Sequence, residues 1–245
     1  MNVVNLQMLG TGDAFSKSYY NNNGLLLGQG YTLLIDCGTT APAAMRQMGK
    51  SFHEIDAVLI THIHDDHVGG LASLAGSMKD HGRKMRLLLS ETLVDPLWQH
   101  LLQKGLAAKA RAERLADMFE IKPLQADRYC ELSEDITFKL IRTPHIQGRD
   151  SYSLLLNEDV FYSADMTFQP ELLLKLVRKE GVRKILHDCQ LTGPGHVHTT
   201  LKELMSLPED VRRLILLMHY SDRKPDFEGR TGEMDFLEQH KIYSL

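Results

Sequence analysis

The ten residues Thr61-His62-Ile63-His64-Asp65-Asp66-His67-Val68-Gly69-Gly70 constrain this chain more than any other stretch. They follow the apolar run Ala57-Val58-Leu59-Ile60, which reads as a short buried strand, and Val68 onward reads as a helix. Two histidines two positions apart at a strand end point to one side, and Asp66 and His67 at the turn into the helix face a neighbouring point. Neutral imidazoles and ionised carboxylates suit a borderline divalent ion such as zinc. Five such donors would overfill one tetrahedral shell, so the spacing predicts two adjacent ions. A histidine-rich polar loop is the simpler explanation for any lone residue among the 12 histidines, but not for this cluster.

Other motifs lie at the ends of further apolar runs. Val3 to Leu9 alternates and runs into Gly10-Thr11-Gly12-Asp13-Ala14, a strand followed by a tight loop. The polar loop Ser16 to Asn23 follows, where Tyr19, Tyr20 and Asn21 are candidates for stacking on a base and bonding its edge. Asp36 closes a second apolar strand, and a buried carboxylate there needs partners. A helix is expected from Ala41 to Met48, a longer one from His67 to Asp80, and helical structure across residues 91 to 118. Farther on stand Thr143-Pro144-His145, the hairpin Ser151 to Ser163 leading to Ala164-Asp165-Met166-Thr167, and His187-Asp188-Cys189-Gln190. Then come Gly195-His196-Val197-His198-Thr199-Thr200 and Met218-His219-Tyr220, with a helix expected over Gly232 to Gln239.

The central stretch resembles the HxHxDH signature of the metallo-β-lactamase superfamily. That resemblance implies an α/β, four-layer αββα sandwich, here as one domain over 1–245. The GTGDA loop resembles the start of ribonuclease Z and its relatives, and Ser163-Ala164-Asp165-Met166 the motif whose aspartate bridges two metals. By resemblance, His62, His64 and His145 form one metal site, Asp66, His67 and His219 the other, and Asp165 joins them. Asp36 would bond a ligand histidine, Asp66 would also guide the nucleophile's proton, and His187 or His198 would protonate the leaving group. The HDCQ and HVHTT segments stand where ribonuclease Z carries HEAT-type and GHST-like segments, with Asp188 for the glutamate. The implied cofactors are two divalent ions, zinc first and manganese as the alternative.

Ribonuclease Z grips tRNA with an arm between its third and fourth motifs. Only 20 positions separate His145 from Asp165, all taken by a compact hairpin, and the formal net charge is −4. Both count against a large polyanion, and no stable nucleic-acid complex is expected. The whole pattern is similar to the anti-Pycsar phosphodiesterases, which cleave 3′,5′-cyclic mononucleotides (cyclic CMP, UMP, AMP and GMP) to 5′-monophosphates and so silence a bacterial anti-phage signal. A homodimer follows from that resemblance. A ribonuclease-Z-like RNA phosphodiesterase and a glyoxalase-II-type thioesterase remain alternatives. Three widely spaced cysteines, no basic apolar leader and no membrane-length apolar run lead to the expectation of a cytoplasmic protein.

Overall fold

The structure, a computed structural model, describes residues 4–245; Val3, included in the expected first strand, lies outside them. One sheet is built from β1 (Asn5–Gly10), β2 (Asn23–Gly28), β3 (Tyr31–Ile35), β4 (Ala57–Ile60), β5 (Met85–Ser90) and β6 (Phe119–Leu124). The other contains β7 (Tyr129–Glu131), β8 (Thr137–Arg142), β9 (Tyr152–Leu156), β10 (Val160–Tyr162), β11 (Lys184–Asp188), β12 (Ile215–Met218) and β13 (Asp235–Phe236). The last strand, β14 (Ile242–Ser244), returns to the first sheet. The orders are β14-β1-β2-β3-β4-β5-β6 and β13-β12-β11-β10-β9-β8-β7.

Each sheet begins as an antiparallel meander and continues as parallel strands, β3 to β6 in one and β10 to β13 in the other. Parallel neighbours need crossovers, and helices supply most of them. The second sheet shows the layering residue by residue. Leu154, Leu156, Val160, Tyr162, Leu186 and Met218 join the core shared with the first sheet. Their alternate neighbours Leu155, Phe161, Ile185, Ile215 and Leu217 pack with Leu173, Leu176, Leu204 and Val211, which belong to the helical side. That period of two makes the sheet apolar on both faces, as burial between a sheet and a helix layer requires. With Met45, Leu74 and Leu101 carrying helices onto the first sheet's core, the αββα order is complete.

Three helical expectations need correction. The helix after β4 is two pieces, Asp65–Val68 and Leu71–Lys79. The Gly70 amide donates to the Cys37 carbonyl at 2.9 Å instead of continuing the helical ladder, and a Cβ on Gly70 would sit 2.4 Å from the Gly38 carbonyl oxygen. The region 91 to 118 breaks into Val94–Gln103, Leu106–Lys109 and Leu115–Met118, interrupted where Gly105 and Arg111 take φ of 66° and 53°. Gly232 to Gln239 holds no helix; its Asp235–Phe236 pairs with β12, because that sheet edge offers unpaired backbone groups and Met234 and Leu237 bury against it.

Candidate metal centre

The functional side chains follow the carboxyl ends of strands that run the same way within each sheet: β1, β3 and β4 in one, β8, β10, β11 and β12 in the other. Ligand sites collect at such ends in sheets of this kind. Three non-glycine residues there hold left-handed backbone: Asp36 (φ 59°), Ala164 (φ 49°) and His219 (φ 54°). Each such conformation costs on the order of 1–3 kcal/mol and persists only where the surroundings impose it. The loop after β3 is also pressed against the histidine loop: a Cβ on Gly38 would lie 1.9 Å from the Asp66 carbonyl oxygen. Only glycine permits that approach.

Two donor sets result. In the first, His62 Nε2 lies 3.0 Å from His64 Nδ1, and His145 Nε2 lies 3.3 Å from it. Asp165 Oδ2 is 3.5 Å from His62 Nε2 and 3.8 Å from His145 Nε2. In the second, Asp66 Oδ2 lies 3.2 Å from His67 Nε2 and 3.1 Å from His219 Nε2. The same Asp165 Oδ2 is 3.3 Å from His67 Nε2 and 3.4 Å from His219 Nε2. Every one of the seven residues expected as ligands is brought into these two sets. Asp65, the fifth donor of the sequence cluster, is not; it turns outward to His100 (2.9 Å) and Lys104 (2.7 Å).

The hydrogen-bond network decides what these nitrogens can do. His67 Nδ1 donates to Asp36 Oδ2 at 2.8 Å, and His145 Nδ1 donates to the Val197 carbonyl at 2.6 Å. Thr61 gives its hydroxyl proton to Asp36 Oδ2, so its oxygen accepts from His62 Nδ1 at 3.1 Å. His62 and His145 therefore present bare Nε2 lone pairs to the first set, and in the second His67 Nε2 is buried with no hydrogen-bond partner. Converging lone pairs and a carboxylate repel unless a cation lies among them. Tetrahedral zinc with nitrogen or oxygen ligands near 2.0–2.1 Å needs ligand-to-ligand separations of roughly 3.4 Å. The observed distances fit two such ions. The rings' outer bonds to Asp36, Thr61 and Val197 fix the tautomers as metal-site supports do.

The two sets differ electrically. Burial, with repulsion from His62 and His145, pulls His64 down to about 3, and burial pulls His145 down to about 4. Burial also lowers His62. In the second set burial acts the same way, yet Asp165 and Asp66 outweigh it and raise His219 to about 9. Asp66 and Asp165 raise His67 likewise. Burial would raise both carboxylates, but the histidines around them hold Asp66 and Asp165 well below the usual range.

Beside the sets stands His198, whose Nδ1 is 3.1 Å from Asp188 Oδ2 and 3.8 Å from Asp165 Oδ2. It lines a cavity of about 390 Å³ with Asp66, Asp165 and His219. His187 does not reach that cavity. It is wholly buried, with Nδ1 3.0 Å from Asp188 Oδ1, because strand alternation puts it with Ile185 on the helix side and turns Asp188 toward the site. Of the two histidines expected as proton donor, only His198 borders the cavity.

The Tyr19, Tyr20 and Asn21 expectation is also corrected: none lines the cavity. Tyr19 packs edge-on against Tyr220 at 5.1 Å, Tyr20 bonds Gln47, and Asn21 Oδ1 accepts from the Thr40 amide and hydroxyl at 2.9 Å. The Tyr19 ring and the polar atoms of Tyr20 and Asn21 hold the loop. The residues that do line it there are Asp13, Ala14 and Phe15. A readable signal was present in Asp13: it precedes Ser16 by three, and its Oδ1 accepts from the Phe15 and Ser16 amides at 2.9 and 2.8 Å.

Known proteins agree with this architecture. The metallo-β-lactamase fold protein YhfI from Bacillus subtilis covers 100% of both chains with a TM-score of 0.76 at 16% identity, a likeness of fold. An anti-Pycsar protein Apyc1 of Paenibacillus sp. (strain J14) is 55% identical over 243 residues, covering 99% of each chain. One from Bacillus phage vB_BsuM-Goe3 is 39% identical over 255 aligned positions, covering 98% of this chain and 97% of its own. The profile of the family described as "Anti-Pycsar protein Apyc1" matches residues 4–243. The chain belongs to that family.

Proposed function

We propose that this chain is a two-metal phosphodiesterase that opens 3′,5′-cyclic mononucleotides to 5′-monophosphates and thereby removes a cyclic-nucleotide defence signal. The observation that carries it is the pair of four-donor sets sharing Asp165 Oδ2, with His198 held beside them. His62, His64, His145 and Asp165 would hold one divalent ion and Asp66, His67, His219 and Asp165 the other, zinc being the ion this donor chemistry favours. Bound there, the ions supply Lewis acidity that screens the phosphodiester charge and makes water a nucleophile at neutral pH.

The chain's own groups manage the protons. Asp66, kept ionised, accepts a hydrogen bond from the attacking water and guides its proton, which leaves to solvent, as the oxygen joins phosphorus. His198, with Nδ1 committed to Asp188, has Nε2 left for substrate and gives a proton to O3′ as the P–O3′ bond breaks. The 5′ ester bond stays, so the product is a 5′-monophosphate. Support for a small substrate comes from the cavity of about 390 Å³ and from β9 and β10, which fill the space between His145 and Asp165 with a hairpin. Among the described residues no helix is long and apolar enough to cross a membrane. A second copy of the chain is the proposed partner, and sedimentation equilibrium tests that.

The deciding experiment offers metal-loaded protein a panel of cyclic pyrimidine and purine mononucleotides and a precursor tRNA, with His64→Ala as control. The reading requires 5′-monophosphates from the panel and none from the control. Cleavage of the tRNA alone would replace it with the ribonuclease reading.

A further inference from the structure

Phe15 is 89% exposed, while the other exposed large apolar side chains among the described residues, such as Leu102 and Ile242, are 46% and 54% exposed. Phe15 alone of these lines the cavity of the metal centre. A lone exposed apolar side chain is ordinary on a protein surface; Phe15 stands out because its ring borders the donor sets.

The ring stands on a braced turn. Asp13 Oδ1 accepts from the Phe15 and Ser16 amides, and the Asp13 amide donates to the Tyr220 carbonyl at 3.1 Å, one residue from the donor His219. Asp222 then accepts the Lys17 and Ser18 amides, each at 2.9 Å. Both ends of the turn are thus tied to the segment that carries His219. The backbone that carries the ring is set relative to the metal centre before any substrate arrives, which lowers the ordering cost of a stacking contact.

Chemistry chooses the occupant. The ribose bearing O3′ must lie on the side of His198, the proton donor, and the base projects from that ribose. His198 and Phe15 line one cavity. We propose that Phe15 is the platform on which the substrate's base stacks, an inference that rests on the cyclic-nucleotide reading above. A phenyl face bonds no base edge and accepts any π-face. Phe15 therefore supplies affinity for the nucleoside without choosing between pyrimidine and purine.

The test measures KM and kcat of metal-loaded wild type, Phe15→Ala and Phe15→Trp on cyclic CMP, cyclic AMP and the base-free ribose 3′,5′-cyclic phosphate. Stacking is worth about tenfold to a hundredfold per base. Phe15→Ala should raise KM for both nucleotides by that factor and reduce their kcat/KM relative to the base-free ester equally. Phe15→Trp should restore it. An unchanged KM, or an equal loss on the base-free ester, would overturn the platform while leaving the proposed function standing. So would a loss that tracks conversion of a dimer to monomer in sedimentation, which would make Phe15 a contact between copies. Wild-type silence on both nucleotides would overturn the proposed function and the platform with it.

Discussion

The two halves of the metal centre share one oxygen and little else. The half formed by His62, His64 and His145 is three neutral rings with only Asp165 for charge, and burial lowers all three below the ordinary histidine range. The half formed by His67 and His219 has Asp66 as well as Asp165, with Asp36 behind His67, and its rings are raised. One half offers lone pairs; the other offers charge. Once His67 and His219 have released their protons, a cation is drawn more strongly to the second, by Coulomb attraction to one more carboxylate, while the first depends on ring orientation and so on the Thr61 and Val197 bonds.

Variants can break this comparison in order of effect. Asp165→Ala removes the shared oxygen, so turnover should vanish and metal content, by mass spectrometry under native conditions, should fall from about two per chain to about one or none. His198→Ala leaves both sets intact; kcat should fall about 10²- to 10⁴-fold with metal content unchanged. Asp36→Asn weakens the support of His67 directly and of His62 through Thr61, and should lower metal affinity roughly 10- to 100-fold, read by competition with a chelating dye.

Metal-free protein should show the two halves with opposite pH signs in urea unfolding. His219, raised to about 9, stabilises the fold below its unfolded value near 6.5, and that contribution fades as pH rises from there through about 9. His64, lowered to about 3, resists the protonation that the unfolded chain accepts below about 6.5, so it opposes folding as pH falls. His219→Ala should therefore cost more stability at pH 6 than at pH 9, by on the order of 2 kcal/mol, while His64→Ala should gain stability at pH 5. Smallest of all, Ala164→Gly relieves the left-handed strain at φ 49° and should raise stability by at most about 1 kcal/mol.

Legibility followed range along the chain. His62 to His67 could be read directly because the donors are adjacent in sequence. His145, Asp165 and His219 are assembled by three separate strands, so likeness to a known family pointed to them, helped at His145 only by its place after a strand and a proline. The Tyr20 and Asn21 expectation failed because a polar loop states which atoms it carries and not which it spends on itself; Gln47 and Thr40 consume them. Phe15 was passed over because nothing local says that a ring on a turn stays uncovered. Helix breaks at Gly69 and Gly70 and the strand at Asp235–Phe236 depend on partners, Cys37 and β12, that only the fold brings near.

The most direct test is an anomalous-diffraction map of crystals grown with zinc, recorded on either side of the zinc absorption edge. Two peaks about 3.5–4 Å apart, with Asp165 Oδ2 between them and His64 and Asp66 on opposite sides, are the predicted result. A single peak, or two that do not share Asp165, would contradict the account.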